Sequence, residues 1–318
     1  MPEKNNTKGT PIMKTIPFYL ILSLLLPLSA WAVEDTNDTL AADSSEVGGT
    51  LLFATILEAK GKSVARYLHG GTQFKPYIDE LQTPSGKNIL RDAPEDHLHH
   101  HGLMYAIKVD GQNFWEENDP HAGRQVTVRI QHSGNFLESE IDWNTSESKT
   151  LLKETRKISV NRTNDVTLLD WQSTLKTAND AELDGGHYHG LGMRFVHEMD
   201  KDGRFFNDTN KHDGEIVRGD ERLTRCRWMA YTTKLAGQPV TVAVFDHPSN
   251  PVPMTVFTMG DASDAFVYLS ATMNLHRESI NLKAGEEFAV RYQVAVWDGE
   301  QSHETIDRVC KVWEHAMR

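Results

Sequence analysis

From Thr50 onward the chain alternates apolar and polar residues in short runs, the period expected of strands that bury one face. Val126, Val128 and Ile130 alternate with Thr127 and Arg129, and Glu287 to Trp297 is a long stretch rich in Val, Phe, Tyr and Trp. Such residues fit a pleated, half-buried surface. Turn dipeptides separate the runs: Lys60-Gly61, Asp110-Gly111, Asn164-Asp165 and Ala284-Gly285. Leu103 to Val109, Asp110-Gly111 and Gln112 to Trp115 together read as a hairpin. Only the end of the chain changes period. Ile306, Val309, Cys310, Trp313 and Met317 recur at helical spacing and predict a helix over 302–318. Ser302 stands as its N-cap, Glu304 lies in its first turn, and Trp313 is placed to anchor it on a sheet. Many short strands over roughly 250 residues, without an internal linker or a propeller-length repeat, predict an all-β protein. The expected fold is one large antiparallel β-sandwich over residues 50–318, closed by that short C-terminal helix.

The head of the chain follows a different logic. Lys4, Lys8 and Lys14 precede the uncharged apolar run Ile16 to Leu28, and Ser29-Ala30-Trp31-Ala32 offers a small-x-small cleavage site. Residues 1–32 are therefore expected to be a secretory signal peptide, with a mature chain starting at or near Val33 in the periplasm or outside the cell. The run is short for a membrane span, which needs about 20 residues; an uncleaved anchor is the alternative. Residues 33–49 carry Glu34, Asp35, Asp38, Asp43 and Glu46 and no Lys or Arg, so they read as a disordered acidic lead-in.

The whole chain has 33 Lys and Arg against 45 Asp and Glu; without the signal, which holds three Lys and one Glu, 30 stand against 44, a net of −14. Such a surface repels nucleic acid and anionic membranes, so neither is an expected partner. Cys226 and Cys310 could form a disulfide in an oxidising compartment or remain two buried thiols. The oligomeric state is left open.

The 15 histidines are distributed unevenly. Four fall in Asp96-His97-Leu98-His99-His100-His101-Gly102, two in His187-Tyr188-His189, and one in Asp246-His247-Pro248. In an extended segment His97, His99 and His101 would share one face. Imidazole suits metal ligation, proton transfer near neutral pH and hydrogen bonding to hydroxyls. No cofactor is required by the sequence, although a divalent metal on His97, His99 and His101 is possible. Phe114-Trp115-Glu116-Glu117 adds an indole that could stack on a sugar, or simply fill the core, with carboxylates beside it. A GxSxG elbow, a P-loop and a dinucleotide fingerprint are all missing, so acyl, phosphoryl and nicotinamide chemistry have no support.

The residues 96–103, followed by Val109-Asp110-Gly111-Gln112-Asn113-Phe114-Trp115, resemble the DHxHHxxL … vnGxdFW signature of a bacterial family of unknown function. That family carries a methane-oxygenase (PmoA-like) label. Further matches are Lys75-Pro76-Tyr77 before Ser85-Gly86, Gly190 to Arg194, Arg227-Trp228, Asp246 to Pro251, and Gly285-Glu286 leading to Arg291-Tyr292 and Asp298-Gly299. The likeness spans nearly all of residues 50–299. Membrane methane oxidation needs spanning helices, and no later apolar run is long enough, so the label's activity is not expected. The resemblance implies instead kinship with the galactose-mutarotase-like supersandwich shared by sugar epimerases, polysaccharide lyases and glycosidases, and a carbohydrate as partner. Mutarotases use two His from separate strands plus a carboxylate. By that analogy His99, His100 and His189 are the expected acid–base groups. His97, Trp115, Glu116, His187 and Arg194 would bind or orient the sugar, with Asp246 and His247 closing the rim. His101 departs from the family pattern, where Arg is common, and His187 and His189 stand where acidic residues or Lys are more usual.

Overall fold

The computed structural model describes residues 43–47, 50–70, 73–209, 222–260 and 264–316, with side chains from Phe53 onward. The expected signal peptide at 1–32 and most of the lead-in lie outside the described residues. The part of the lead-in that is described is not a coil. Asp43–Val47 pairs antiparallel with Thr50–Ala59, because backbone hydrogen bonds to a neighbouring strand need no apolar side chains.

The remaining chain forms two large antiparallel sheets. One runs in the order Asp43–Val47, Thr50–Ala59, Lys62–Leu68, Tyr77–Leu81, Leu103–Ala106, Gly190–Arg194, Tyr268–Thr272, Thr255–Met259, Leu223–Arg225. The other runs Arg204–Asn207, Trp228–Leu235, Gln238–Asp246, Glu287–Asp298, Val166–Lys176, Thr150–Arg162, Phe136–Asn144, Arg124–Ser133. A small third sheet joins Ile280–Leu282, Ala181–Asp184, Lys108–Val109 and Gln112–Asn113. The expected hairpin is thus split. Leu103–Ala106 stays in the first sheet, while the chain leaves it at buried Ile107 and only Lys108–Val109 turns back onto Gln112–Asn113.

The two large sheets pack face to face as a sandwich. Leu191, Met193, Leu269 and Tyr105 from the first meet Ile141, Leu169, Val244 and Val294 from the second in one apolar core. A charged pair lies between the layers as well. Arg156 donates to Glu154 from Nε (2.8 Å) and Nη2 (2.9 Å), and crosses to the other sheet at the Pro76 carbonyl (2.8 Å). Glu154 also accepts from Trp143 Nε1 and the Ser173 hydroxyl, so the buried charges are fully hydrogen-bonded. The predicted strand at 126–130 is present but turned. It is an edge strand, bulged between Thr127 and Arg129, with Gln125 buried and Val126 and Val128 exposed.

The helix spans His303–Ala316, and Ser302 Oγ accepts from the Thr305 amide as the N-cap reading requires. It covers the outer face of the second sheet, where Ile306, Cys310 and Trp313 pack on Trp228, Phe245, Ala295 and Trp297. No disulfide joins Cys226 and Cys310; both are buried thiols.

Candidate functional site

The site is built on the outer face of the first sheet. Residues paired directly across strands share a face. Tyr77 opposite Met104, Gly192 opposite both Met104 and Ser270, Arg194 opposite Tyr268 and Phe257 opposite Ser270 therefore form one floor. Gly192 leaves the gap that this floor needs. A Cβ there would lie 1.8 Å from the Tyr268 hydroxyl and 3.0 Å from Trp115 Cη2.

The histidine segment folds over that floor as consecutive turns rather than as a strand. The His97 amide bonds the Pro94 carbonyl and the His100 amide bonds the His97 carbonyl, each at 2.9 Å. The shared face expected for His97, His99 and His101 is therefore wrong. A turn of three residues stacks His97 on His100 instead, with ring centroids 4.6 Å apart. Gly102 then carries the chain into its strand at φ +34°, where a Cβ would meet the Ile78 carbonyl at 2.2 Å.

His101 is separated from its neighbours by its partners. Its Nδ1 lies 2.6 Å from Asp92 Oδ1 and its Nε2 2.8 Å from Glu117 Oε1, and its ring stacks on Tyr77. Burial opposes its charging, but the two carboxylates outweigh burial and raise its pKa, which favours the doubly protonated ring. Glu117 also takes the buried Lys75 ammonium at 2.7 Å, and the same ammonium donates to the Trp115 carbonyl. Burial alone would raise the Glu117 pKa, yet His101 and Lys75 pull it down to about 2. This chain of ions is a strut under Trp115. Both His101 nitrogens face carboxylates rather than His97 and His99, so the three do not form the expected ligand set. Among the described residues no group of three His, Cys, Asp or Glu has metal-binding geometry.

The other imidazoles behave differently. His100 stacks on Tyr268 at 4.7 Å and meets Trp115 edge-on at 6.5 Å; His189 lies parallel to Trp115 at 5.1 Å and 11°. His100 and His189 thus touch one indole and lie at most about 12 Å apart, within the span of an ordinary ligand pocket. His99 packs edge-on against His100 at 4.6 Å. Among the described residues none of these three rings hydrogen-bonds to protein, and the Nδ1 atom of each is buried without a partner. Burial, then the neighbouring His99 and His97, pushes His100 down to about 2. Burial takes His189 down to about 3 against the pull of Glu116, and it also lowers His99. All three are neutral imidazoles near pH 7.

Glu116 faces this group. Burial disfavours its charge, but hydrogen bonds from Tyr188 and Asn113 prevail and hold its carboxyl below the usual range. Arg194, buried at 1 % exposure, reaches Asp96 with Nη2 at 2.8 Å and lies 3.7 Å over the Phe266 ring. His187 sits at the edge, against Tyr188 and Phe257.

Three sequence expectations change here. Trp115 is fully buried, so it is a platform for His189 rather than a face for a sugar. Asp246 is held by Asn250 and the Met254 amide at the end of a strand of the second sheet, on the face of Val244 and Tyr292. His247 packs edge-on against Trp313 of the helix on the other face, so neither joins the histidine group. Tyr188, Tyr268, Phe266, Asp92 and Lys75 were not singled out as site residues. Only Tyr188 and Lys75, each inside a matched or His-rich motif, gave a signal that could have found them.

The fold is an antiparallel sandwich with a cluster of imidazole and aromatic rings on one outer face. The chain belongs to a family described only as a family of unknown function (DUF6807), whose model matches residues 54–311. The methane-oxygenase label is not part of that description. A search of the curated proteins finds no match. Among solved structures, the chain is similar to a galactose mutarotase related enzyme from Lactobacillus acidophilus, with 9 % identity, TM-score 0.44, and 79 % of this chain and 99 % of that chain covered. It is similar to a putative aldose 1-epimerase from Escherichia coli K12, with 10 % identity, TM-score 0.39, and coverage of 77 % and 99 %. A third is the GH36 alpha-galactosidase AgaB from Geobacillus stearothermophilus, with 13 % identity, TM-score 0.42, and coverage of 82 % and 41 %. These TM-scores lie below 0.5, and the fold described here rests on its own strand order.

Proposed function

We propose that the protein is an exported carbohydrate-active enzyme, acting on a sugar or glycan fragment by acid–base chemistry at His99, His100 and His189. The observation that carries this reading is that three neutral imidazoles converge without a hydrogen bond to the protein. Buried polar groups are ordinarily satisfied, so such a set calls for an occupant rich in donors and acceptors. Sugar hydroxyls are both donor and acceptor and match neutral imidazole, which is both as well. Burial makes His100 and His189 reluctant to hold a proton, so they act first as acceptors for sugar hydroxyls, and the Glu116 carboxylate beside His189 and His99 favours the charge that a proton transfer would create.

The test is three single variants, His99→Gln, His100→Gln and His189→Gln, each followed by thermal melting, calorimetric titration with mono- and disaccharides, and turnover of the same sugars. Binding and turnover should fall about 100-fold or more, the order for losing an acid–base group, while the melting temperature moves only a few degrees. Lowered melting temperatures with unchanged sugar binding would assign the rings a structural role. Binding without turnover of any sugar would leave a glycan-binding protein.

A further inference from the structure

Resting on that reading of the site, we infer that the sugar it takes carries a carboxylate, as a uronic acid does, and that Arg194 receives it. Arg194 is a buried cation of the site whose hydrogen bonding is incomplete. It is 1 % exposed, one nitrogen reaches Asp96 at 2.8 Å, and Nε and Nη1 are buried without a partner. A guanidinium offers five N–H donors, and burying it with most of them unused is costly. Two other cations of the site, Lys75 and His101, are already matched. Lys75 is bound by Glu117 and the Trp115 carbonyl, and His101 by Asp92 and Glu117.

Among the described residues only Asp96 hydrogen-bonds to the Arg194 guanidinium; Asp200 also acts on it electrostatically but is engaged by the Val267 amide and His197. Phe266 covers one face at 3.7 Å, and the nearby His100 is neutral. Asp96 is 39 % exposed and shared with His97 Nδ1 at 3.0 Å, so solvent and a second partner weaken its hold. Asp96 also shows that a carboxylate reaches this guanidinium from the solvent side. A planar ligand carboxylate fits the fork of an Arg in two-point fashion, which a hydroxyl does not. In this arrangement the ring hydroxyls face His99, His100 and His189, and the acid group lies toward Arg194 and competes with Asp96.

The experiment is calorimetric titration of the full mature protein with D-glucuronate, D-galacturonate, D-glucose, D-galactose and D-glucose 6-sulfate. At least one uronate should bind tenfold or more tighter than its neutral parent and than the sulfate. Asp96→Asn, a change at a half-exposed side chain, should tighten uronate binding threefold or more and leave neutral sugars unchanged. Arg194→Lys should abolish the preference of acid over neutral sugar. Neutral sugars binding as well as uronates overturns the inference and leaves the sugar site standing. A sulfate preference overturns the carboxylate assignment. Failure of every sugar to bind the wild type overturns both.

Discussion

Buried neutral histidines make stability fall in acid; His69, held down to about 4 by burial, contributes as well, and the shares of His100 and His189 are isolated by substitution. His100 and His189 titrate near 2 and near 3 in the folded protein, against about 6.5 in an unfolded chain. Because both folded values are depressed, the stability they allow is present above pH 6.5 and is lost as pH falls from there toward the folded values. At pH 5 the unfolded chain holds a proton on each ring and the folded chain does not. One pH unit is worth 1.36 kcal/mol, so each ring costs about 2 kcal/mol and the pair about 4 kcal/mol. That is a large share of a typical total of about 5–15 kcal/mol. Burial pushes Asp246 up to about 6, which works in the opposite direction and recovers stability as pH falls. A comparison between variants cancels that contribution. Urea unfolding would be measured at pH 7.5 and pH 5.0 for wild type, His100→Gln, His189→Gln and the double variant. Wild type should lose about 2 kcal/mol more than each single variant between the two pH values, and about 4 kcal/mol more than the double variant. An equal loss in wild type and double variant would refute the claim that the fold holds these rings neutral.

Glu154→Gln should cost about 3–5 kcal/mol, read as a lower urea midpoint, because it leaves Arg156 buried without its counter-charge; a loss under about 1 kcal/mol would show that the pair is not what joins the layers. Elemental analysis of protein purified without an affinity tag should find less than about a tenth of an equivalent of Zn, Cu or Fe, since sites of this type hold metal tightly. Stoichiometric metal, lost in His99→Ala/His100→Ala, would reopen a metalloenzyme reading. N-terminal sequencing of protein from its host should begin within two residues of Val33, and an intact chain in the membrane fraction would rule out the export proposal.

The sandwich and its helix were legible because each follows a simple period. Glu287–Asp298 is a strand where Val, Phe, Tyr and Trp crowd, and the Ile306, Cys310, Trp313 stripe is the buried face of the helix. The strand at 126–130 was found with its orientation inverted, since an edge strand can leave valines in solvent and alternation alone does not say which face is covered. The site was half legible. Dense histidines marked the place, but local spacing could not reveal the turns at His97 and His100, nor that His101 is held by Asp92 and Glu117. Asp246-His247 looked equivalent to the other His pairs because sequence does not say which sheet of a sandwich a strand end belongs to. Tyr268 entered the site only through its register opposite Arg194, a contact between residues far apart in the chain.

The central claim is that His99, His100, His189 and Glu116 surround a sugar on the outer face of the first sheet. Its most direct test is a crystal structure of the mature protein soaked with the mono- and oligosaccharides that bind best by calorimetry. The account predicts density for a sugar ring whose hydroxyls lie about 2.6–3.2 Å from the His100 and His189 imidazoles, with Trp115 behind His189 and not against the sugar. A sugar bound elsewhere, beside Trp313 or on the exposed edge at Val126 and Val128, with the three imidazoles left to water alone, would contradict it.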